Sequence, residues 1–336
     1  EAHIFPIKDA LMFIDDNSPS RRCEGETYYR ADNPAFGAVF TFYMKENIKT
    51  KKDVRLEKEK ELTDAGKTPP YPTFAELRAE DEEQAPYLLF TIKDSKGKIV
   101  RKLKQSPTTG INRINWDLRY TSTVPLNEKT NINEWSGYPV MPGKYSVSLS
   151  KFQDGKFSEL VSDVEFICKP LNNSTLPATD KDELVRFQTD VSELYGTTDA
   201  TSRFINDMFK RIEIIRNTLK VTENVKPELI EKTYSVENRL KDLNKTLAGD
   251  ASISKRNANQ PMSISDRIGY IIFTMWYTQS APTQTNKDSY KIASDGLSRL
   301  LKDLSEIYNS DIKNLEQELD KLNSPWTPGR IPVWNK

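Results

Sequence analysis

The spacing of the apolar residues changes once along this chain, between about residues 170 and 179. In the first part, short runs such as Leu88, Phe90 and Ile92 alternate with polar residues, which is the period of a half-buried β-strand. From about Thr179 the apolar residues recur at alternating steps of three and four, which is the period of an amphipathic helix. The sequence therefore predicts an α+β multidomain chain, with Pro170–Pro177 as the linker.

Turn signals divide the first part into strands. The stretches "DSKG" and "QDGK" each join two alternating runs, which is typical of antiparallel hairpins. On the return strand of the first hairpin, Ile99, Arg101 and Leu103 are expected on one face. Short strands at this spacing predict an immunoglobulin- or fibronectin-III-like antiparallel β-sandwich over residues 1–170.

One charged segment interrupts these strands, over about residues 45–85. Lys45–Leu62 is mostly charged and rich in helix-forming residues, so the segment is expected to be a partly helical insertion. Two interpretations stay open for it, a solvated excursion and an arm that docks onto a partner.

The second part predicts three or four long helices over residues 179–323, connected as an antiparallel bundle. The first would cover Asp180–Lys220 and measure about 60 Å, with Gly196 as a potential break. Pro227 and Gly249 are expected at the two ends of the next helix, and Ser263 with Asp266 in a capping box. The last helix is expected to run to Leu322, before an extended Pro- and Trp-containing tail, 324–336.

Composition argues against several classes of function. Lys+Arg and Asp+Glu both number 49, so no electrostatic feature favours nucleic acid as a partner. No apolar run approaches the roughly 18–20 residues of a membrane span. The single histidine, His3, and the two cysteines, Cys23 and Cys168, leave no set for a His-based triad or a thiolate cluster. We therefore expect no metal and no cofactor, and either two separate thiols or one disulfide.

Four carboxylates are candidate catalytic residues, because they lie close in sequence to aromatic residues that could stack on a sugar. They are Asp15, Asp16, Asp117 and Glu134. Glycoside hydrolysis needs two carboxylates about 5–10 Å apart. Asp117, however, lies between Trp116 and Leu118 in an alternating run, which favours a polar-face or turn-supporting role with Trp116 and Leu118 in the core. Four of the five tryptophans, Trp116, Trp135, Trp326 and Trp334, are candidates for ligand contact or for packing.

Seven short motifs follow one another along the chain: "AHIFPIKDALMF", "NPAFGAVFTFYMKENIKTKKDVRLEKEKE", "PYLLFTIKDSKGKIVRKL", "GINRINWDLRY", "PGKYSVSL", "SAPTQ" and "PWTPGRIPVW". As an ordered series they resemble the C-terminal region of large secreted bacterial proteins that carry a sortilin-like (VPS10-type) β-propeller of BNR repeats, often labelled glycosyl hydrolase-like. The hairpin, "WDLRY" and "PGKYSVSL" also resemble the immunoglobulin-like domain of flagellar hook-cap proteins and bacterial sorting modules.

The resemblance implies a propeller upstream of Glu1 and a place outside the cytoplasm, whether periplasmic, outer-membrane-associated or secreted. It transfers no catalytic residue, since the Asp-box pattern Ser-x-Asp-x-Gly-x-Thr-Trp is absent from the chain. We therefore expect a non-catalytic accessory module that contacts the propeller, another surface protein or a glycan. There are two alternatives. The chain could be part of a glycan-processing hydrolase, or a docking subunit of an outer-surface complex that uses the helices or the segment Lys45–Leu62.

Overall fold

A computed structural model describes residues 1–13, 36–171 and 176–334. The chain is α+β, with about 45% helix and 22% strand, and its sheets are mainly antiparallel. It divides into two compact units. The first unit comprises Glu1–Ser122 and Glu128–Thr175, and the second comprises Thr123–Asn127 and Leu176–Lys336.

The first unit contains the strands and two helices. Its described elements, in chain order, are β1 Ala2–Ile4, β2 Ala10–Met12, β3 Ala38–Met44, α1 Lys51–Asp64, α2 Phe74–Asp81, β4 Tyr87–Asp94, β5 Ile99–Gln105, β6 Gly110–Trp116, β7 Arg119–Thr121, β8 Ser136–Pro139, β9 Gly143–Gln153 and β10 Lys156–Pro170. The strands form sheets of order β1-β3-β6, β2-β10-β9-β4-β5 and β7-β8. All described pairs are antiparallel except β2 with β10.

One hydrophobic core joins the two larger sheets. Phe40 of β3 stacks against Phe90 of β4, with ring centroids 6.5 Å apart, and meets Phe166 of β10 edge-on at 5.4 Å. Both sheets alternate buried and exposed residues, so each places one face in this core. The alternation that the sequence shows for β3, β4 and β9 is therefore confirmed.

The expected position of Ile99 is wrong. Its side chain is exposed, while Val100, Arg101 and Leu103 are buried. The pairing of β4 with β5 shifts by one residue between Ile92 and Lys93, and such a bulge moves the side chains beyond it to the other face.

The second unit is helical. Its described elements are α3 Lys181–Val221, α4 Pro227–Ala248, α5 Ala251–Ser254, α6 Ile264–Met275, α7 Gln284–Glu306, a π-helical segment Ile307–Ile312 and α8 Lys313–Lys321. Helix α3 packs against α4, α6 and α7, and their apolar faces share one core. Among the described residues, no helix is long and apolar enough to cross a bilayer.

The helices of the second unit begin and end close to the residues that the sequence predicted. Asp180 is the N-cap of α3, Pro227 is the first residue of α4, Gly249 ends that helix with φ +84°, and Ser263 forms a capping box with Asp266. Gly196, in contrast, does not break α3. It is buried, and a Cβ there would lie 2.4 Å from the carbonyl oxygen of Thr123, so the glycine allows a close backbone approach.

Candidate interaction surface

Two of the four candidate carboxylates, Asp117 and Glu134, lie in the described part of the chain. Asp15 and Asp16 lie outside the described residues. Asp117 follows the end of β6, where its Oδ1 accepts the backbone N–H of Arg119 at 3.2 Å. Glu134 is exposed in the loop before β8.

The stretch around Asp117 is a tight turn rather than one continuous strand. Leu118 is buried with φ +54°, a conformation that non-glycine residues seldom adopt, and it separates β6 from β7. Trp116 is fully buried and its Nε1 donates to the Arg119 carbonyl at 3.0 Å. The core positions expected for Trp116 and Leu118 are confirmed, and Asp117 holds the turn between them.

Arg101 organises the neighbouring loop, which the sequence did not indicate. Its guanidinium is buried and donates to the carbonyls of Tyr120, Trp135 and Asn133, the last at 2.8 Å. Burial lowers the pKa of Arg101 from its ordinary value, and the charge of Asp117 opposes that shift. Because an arginine stays protonated even so, Arg101 is a fixed positive charge that anchors the backbone on both sides of Glu134.

The tryptophans and cysteines occupy different environments. Trp135 is partly buried, Trp326 is exposed and donates from Nε1 to the Arg330 carbonyl at 2.7 Å, and Trp334 is 82% exposed. Cys168 is a free, buried thiol whose pKa burial raises to about 12, so it is neither a ready nucleophile nor a ready metal ligand. Cys23 lies outside the described residues.

The described residues contain no candidate metal site. No group of three or more His, Cys, Asp or Glu side chains is placed there to hold an ion.

The surface feature that stands out is the pair α1 and α2 with their connection, residues 51–81, which we call the arm. Neither helix contains a buried residue. The arm is held by ion pairs: Arg55 donates from Nε and Nη2 to the two carboxylate oxygens of Glu80, at 2.6 and 2.9 Å, and from Nη1 to Glu59 at 2.7 Å. A bidentate arginine–carboxylate contact fixes orientation as well as distance.

Both helices of the arm begin with a capping box. Thr50 pairs with Asp53 and Thr73 with Glu76, each threonine accepting the backbone N–H three residues on. The hydrogen bonds from Thr50 lower the pKa of Asp53, those from Thr73 lower the pKa of Glu76, and the hydrogen bond from Arg55 lowers the pKa of Glu80. The arm is thus ordered by local polar contacts.

The connection at the end of the arm exposes two aromatic side chains, Tyr71 at 84% and Phe74 at 83%. Residue 71 lies among three prolines in "TPPYPTF", and Phe74 is the first residue of α2. The sequence predicted a partly helical excursion here but missed α2 and its cap. The signal for both was Thr73 followed by Glu76.

Comparisons with known proteins add no relatives. No family model, no curated protein and no solved structure matches this chain.

Proposed function

We propose that this chain is a non-catalytic interaction module that binds a partner protein through the arm. The observation that carries the proposal is an ordered pair of helices that buries no residue of its own and exposes Tyr71 and Phe74 at its end. Exposing a large aromatic side chain to water is unfavourable in free energy, and burial against a partner surface relieves this. Tyrosine and other aromatic residues are enriched at such contacts.

For the first unit we propose an immunoglobulin- or fibronectin-III-like β-sandwich. The two larger sheets with one common core support it, as does Tyr145. This residue lies near the start of β9, and its hydroxyl donates to the Met141 carbonyl at 2.7 Å, the arrangement known as a tyrosine corner. For the second unit we propose an antiparallel bundle, which the short connections and the common core of α3, α4, α6 and α7 support.

We further propose that the module belongs to an extracytoplasmic bacterial protein that contains a sortilin-like β-propeller. The support is the ordered series of motifs that the chain shares with such proteins, from "AHIFPIKDALMF" to "PWTPGRIPVW". In this setting the sandwich and the bundle act as a scaffold, and the arm is the part that contacts the partner.

The test is removal of the arm from the tagged chain in its own cells. The backbone N–H of Lys51 donates to the Glu83 carboxylate at 2.7 Å, so residues 51 and 83 lie close together, and a short Gly/Ser linker can replace residues 51–83, which include the arm. After chemical crosslinking, we expect the deletion to lower the recovery of the partner at least tenfold. The melting temperature should shift by less than about 4 °C, since a shift of that size corresponds to roughly 1 kcal/mol. Unchanged recovery from the folded deletion variant would contradict the proposal.

A further inference from the structure

The end of the arm shows a three-residue pattern of exposure. Over residues 68–74, which we call the tip segment, Pro69 and Pro72 are half-buried, while all the other residues are exposed. A period of three is neither that of a strand nor that of an α-helix. It is the period of a polyproline II helix, which has three residues per turn.

Up to Thr73, the residue before helix α2, the sequence of the tip segment favours that backbone conformation. The rings of Pro69, Pro70 and Pro72 fix φ near −65°, and a residue that precedes proline is pushed to extended ψ values. Tyr71 precedes Pro72, and Thr73 itself has φ −69° and ψ 154°, close to ideal polyproline II values. Pro69 and Pro72, three residues apart, therefore form the less exposed side of the segment.

A second side, formed by Tyr71 and Phe74, faces outward. The two residues are three apart, so at about 3.1 Å per residue their Cα atoms lie roughly 9 Å apart on the same side. The capping box that begins at Thr73 fixes the end of the segment, with Thr73 accepting the N–H of Glu76 at 3.3 Å. The tip segment is thus a preformed ligand, which lowers the entropy lost on binding.

The chemistry of the segment selects its partner. Residues 68–74 carry no charge, and three of the seven lack a backbone N–H. Within the described residues, no backbone N–H donates to the carbonyls of residues 68–72. A complementary surface must therefore supply flat apolar rings and hydrogen-bond donors.

We propose that the tip segment binds a groove of another protein that is lined by aromatic side chains and recognises polyproline II helices. Tyr and Trp side chains fit that description, because they offer a ring face together with an O–H or N–H donor. This inference rests on the proposed function and names the kind of partner that the arm contacts. Tyr71 and Phe74 are its anchors, and Pro69, Pro70 and Pro72 set its backbone.

The first step of the test replaces Phe74 by the photo-crosslinking residue benzoylphenylalanine in the full chain, expressed in its own cells. The matched control places the same residue at Leu56, which is also exposed on the arm but far along the sequence from the tip segment. We expect an adduct with a second protein from position 74 and none from position 56. The peptide KTPPYPTFA, residues 67–75, should suppress the adduct, and the same peptide with its three prolines changed to alanine should not.

The second step titrates the partner, once purified, with the chain and its variants. Tyr71→Ala and Phe74→Ala should each weaken binding at least about 10-fold, and Leu56→Ala should leave it unchanged. An adduct with a second copy of the chain or with a glycan, no adduct, or equal competition by both peptides would overturn the inference. If deletion of the arm abolishes binding but the tip variants bind like the wild type, the inference fails and the proposed function stands. If neither change affects binding, both fail.

Discussion

The hydroxyl of Tyr145 connects strand β9 to the segment that precedes it, through one hydrogen bond to the Met141 carbonyl. Its pKa is raised above the ordinary value, chiefly by burial, so the group stays protonated and donates to Met141. Met141 lies two residues before the first residue of β9, so this hydrogen bond ties the strand to the segment that precedes it.

Tyr145→Phe is expected to destabilise the first unit by about 1 kcal/mol, because the hydrogen bond to the partly buried Met141 carbonyl is lost. The free energy of unfolding in urea measures this, and Tyr71→Phe, at an exposed tyrosine, is the matched control and should change it by less than about 0.5 kcal/mol. The pKa of Tyr145 is raised on folding, so the wild type should lose stability as the pH rises above about 10, and the variant less so. Equal unfolding curves would contradict the tyrosine corner.

At the same scale, the sequence predicted some positions and not others. Alternation placed Trp116 and Leu118 in the core because large apolar residues at period two leave few other solutions. The sequence placed Arg101 on the same face as Leu103, and both are buried, but it could not predict the hydrogen bonds of Arg101, because only the folded chain brings the carbonyls of residues 120, 133 and 135 together. The residues next to an arginine in sequence give no information about carbonyl groups 19 to 34 positions away.

At the scale of elements, the helices divide into those fixed by an apolar stripe and those fixed by local polar contacts. Helix α3 begins within one residue of its predicted start because its stripe and its Asp180 cap agree. The predicted last helix contains the π-helical segment instead of continuing as one α-helix. The buried positions Ile307 and Ile312 are five residues apart, which is the signal that the sequence offered for it.

The arm belongs to the second kind, so its helices should be sensitive to acid. The pKa values of Asp53, Glu76 and Glu80 are lowered on folding, so their contribution is present above about pH 4.5 and is lost as the pH falls through the lower folded values. We expect far-ultraviolet circular dichroism to show a loss of helix below about pH 4.5 that is absent from the arm-deleted variant. The same loss in both proteins would place the acid-sensitive helices outside the arm.

At the scale of the whole molecule, the sequence predicted an α+β chain with strands first and long helices after them, and this is confirmed. It did not indicate that Thr123–Asn127, which lies between strands in the sequence, belongs to the helical unit. Five residues are too few to carry a periodic pattern, and their place follows from tertiary contacts such as the hydrogen bond of Thr123 to Ser192. The sequence left a docking role open for the charged segment, but it did not predict the exposure of Tyr71 and Phe74, on which the proposed interaction surface rests, because exposure is a property of the fold.

We propose that this chain binds a partner and does not catalyse, and the most direct test compares turnover in two proteins. The wild type and a variant with Asp15→Asn, Asp16→Asn, Asp117→Asn and Glu134→Gln are incubated with envelope polysaccharides, and released reducing ends are measured. Asparagine at 117 keeps a side-chain oxygen that can accept the N–H of Arg119, so the turn should survive. We predict no release above the blank from either protein, with equal partner binding. Release by the wild type that the variant lacks, at an unchanged melting temperature, would contradict the claim.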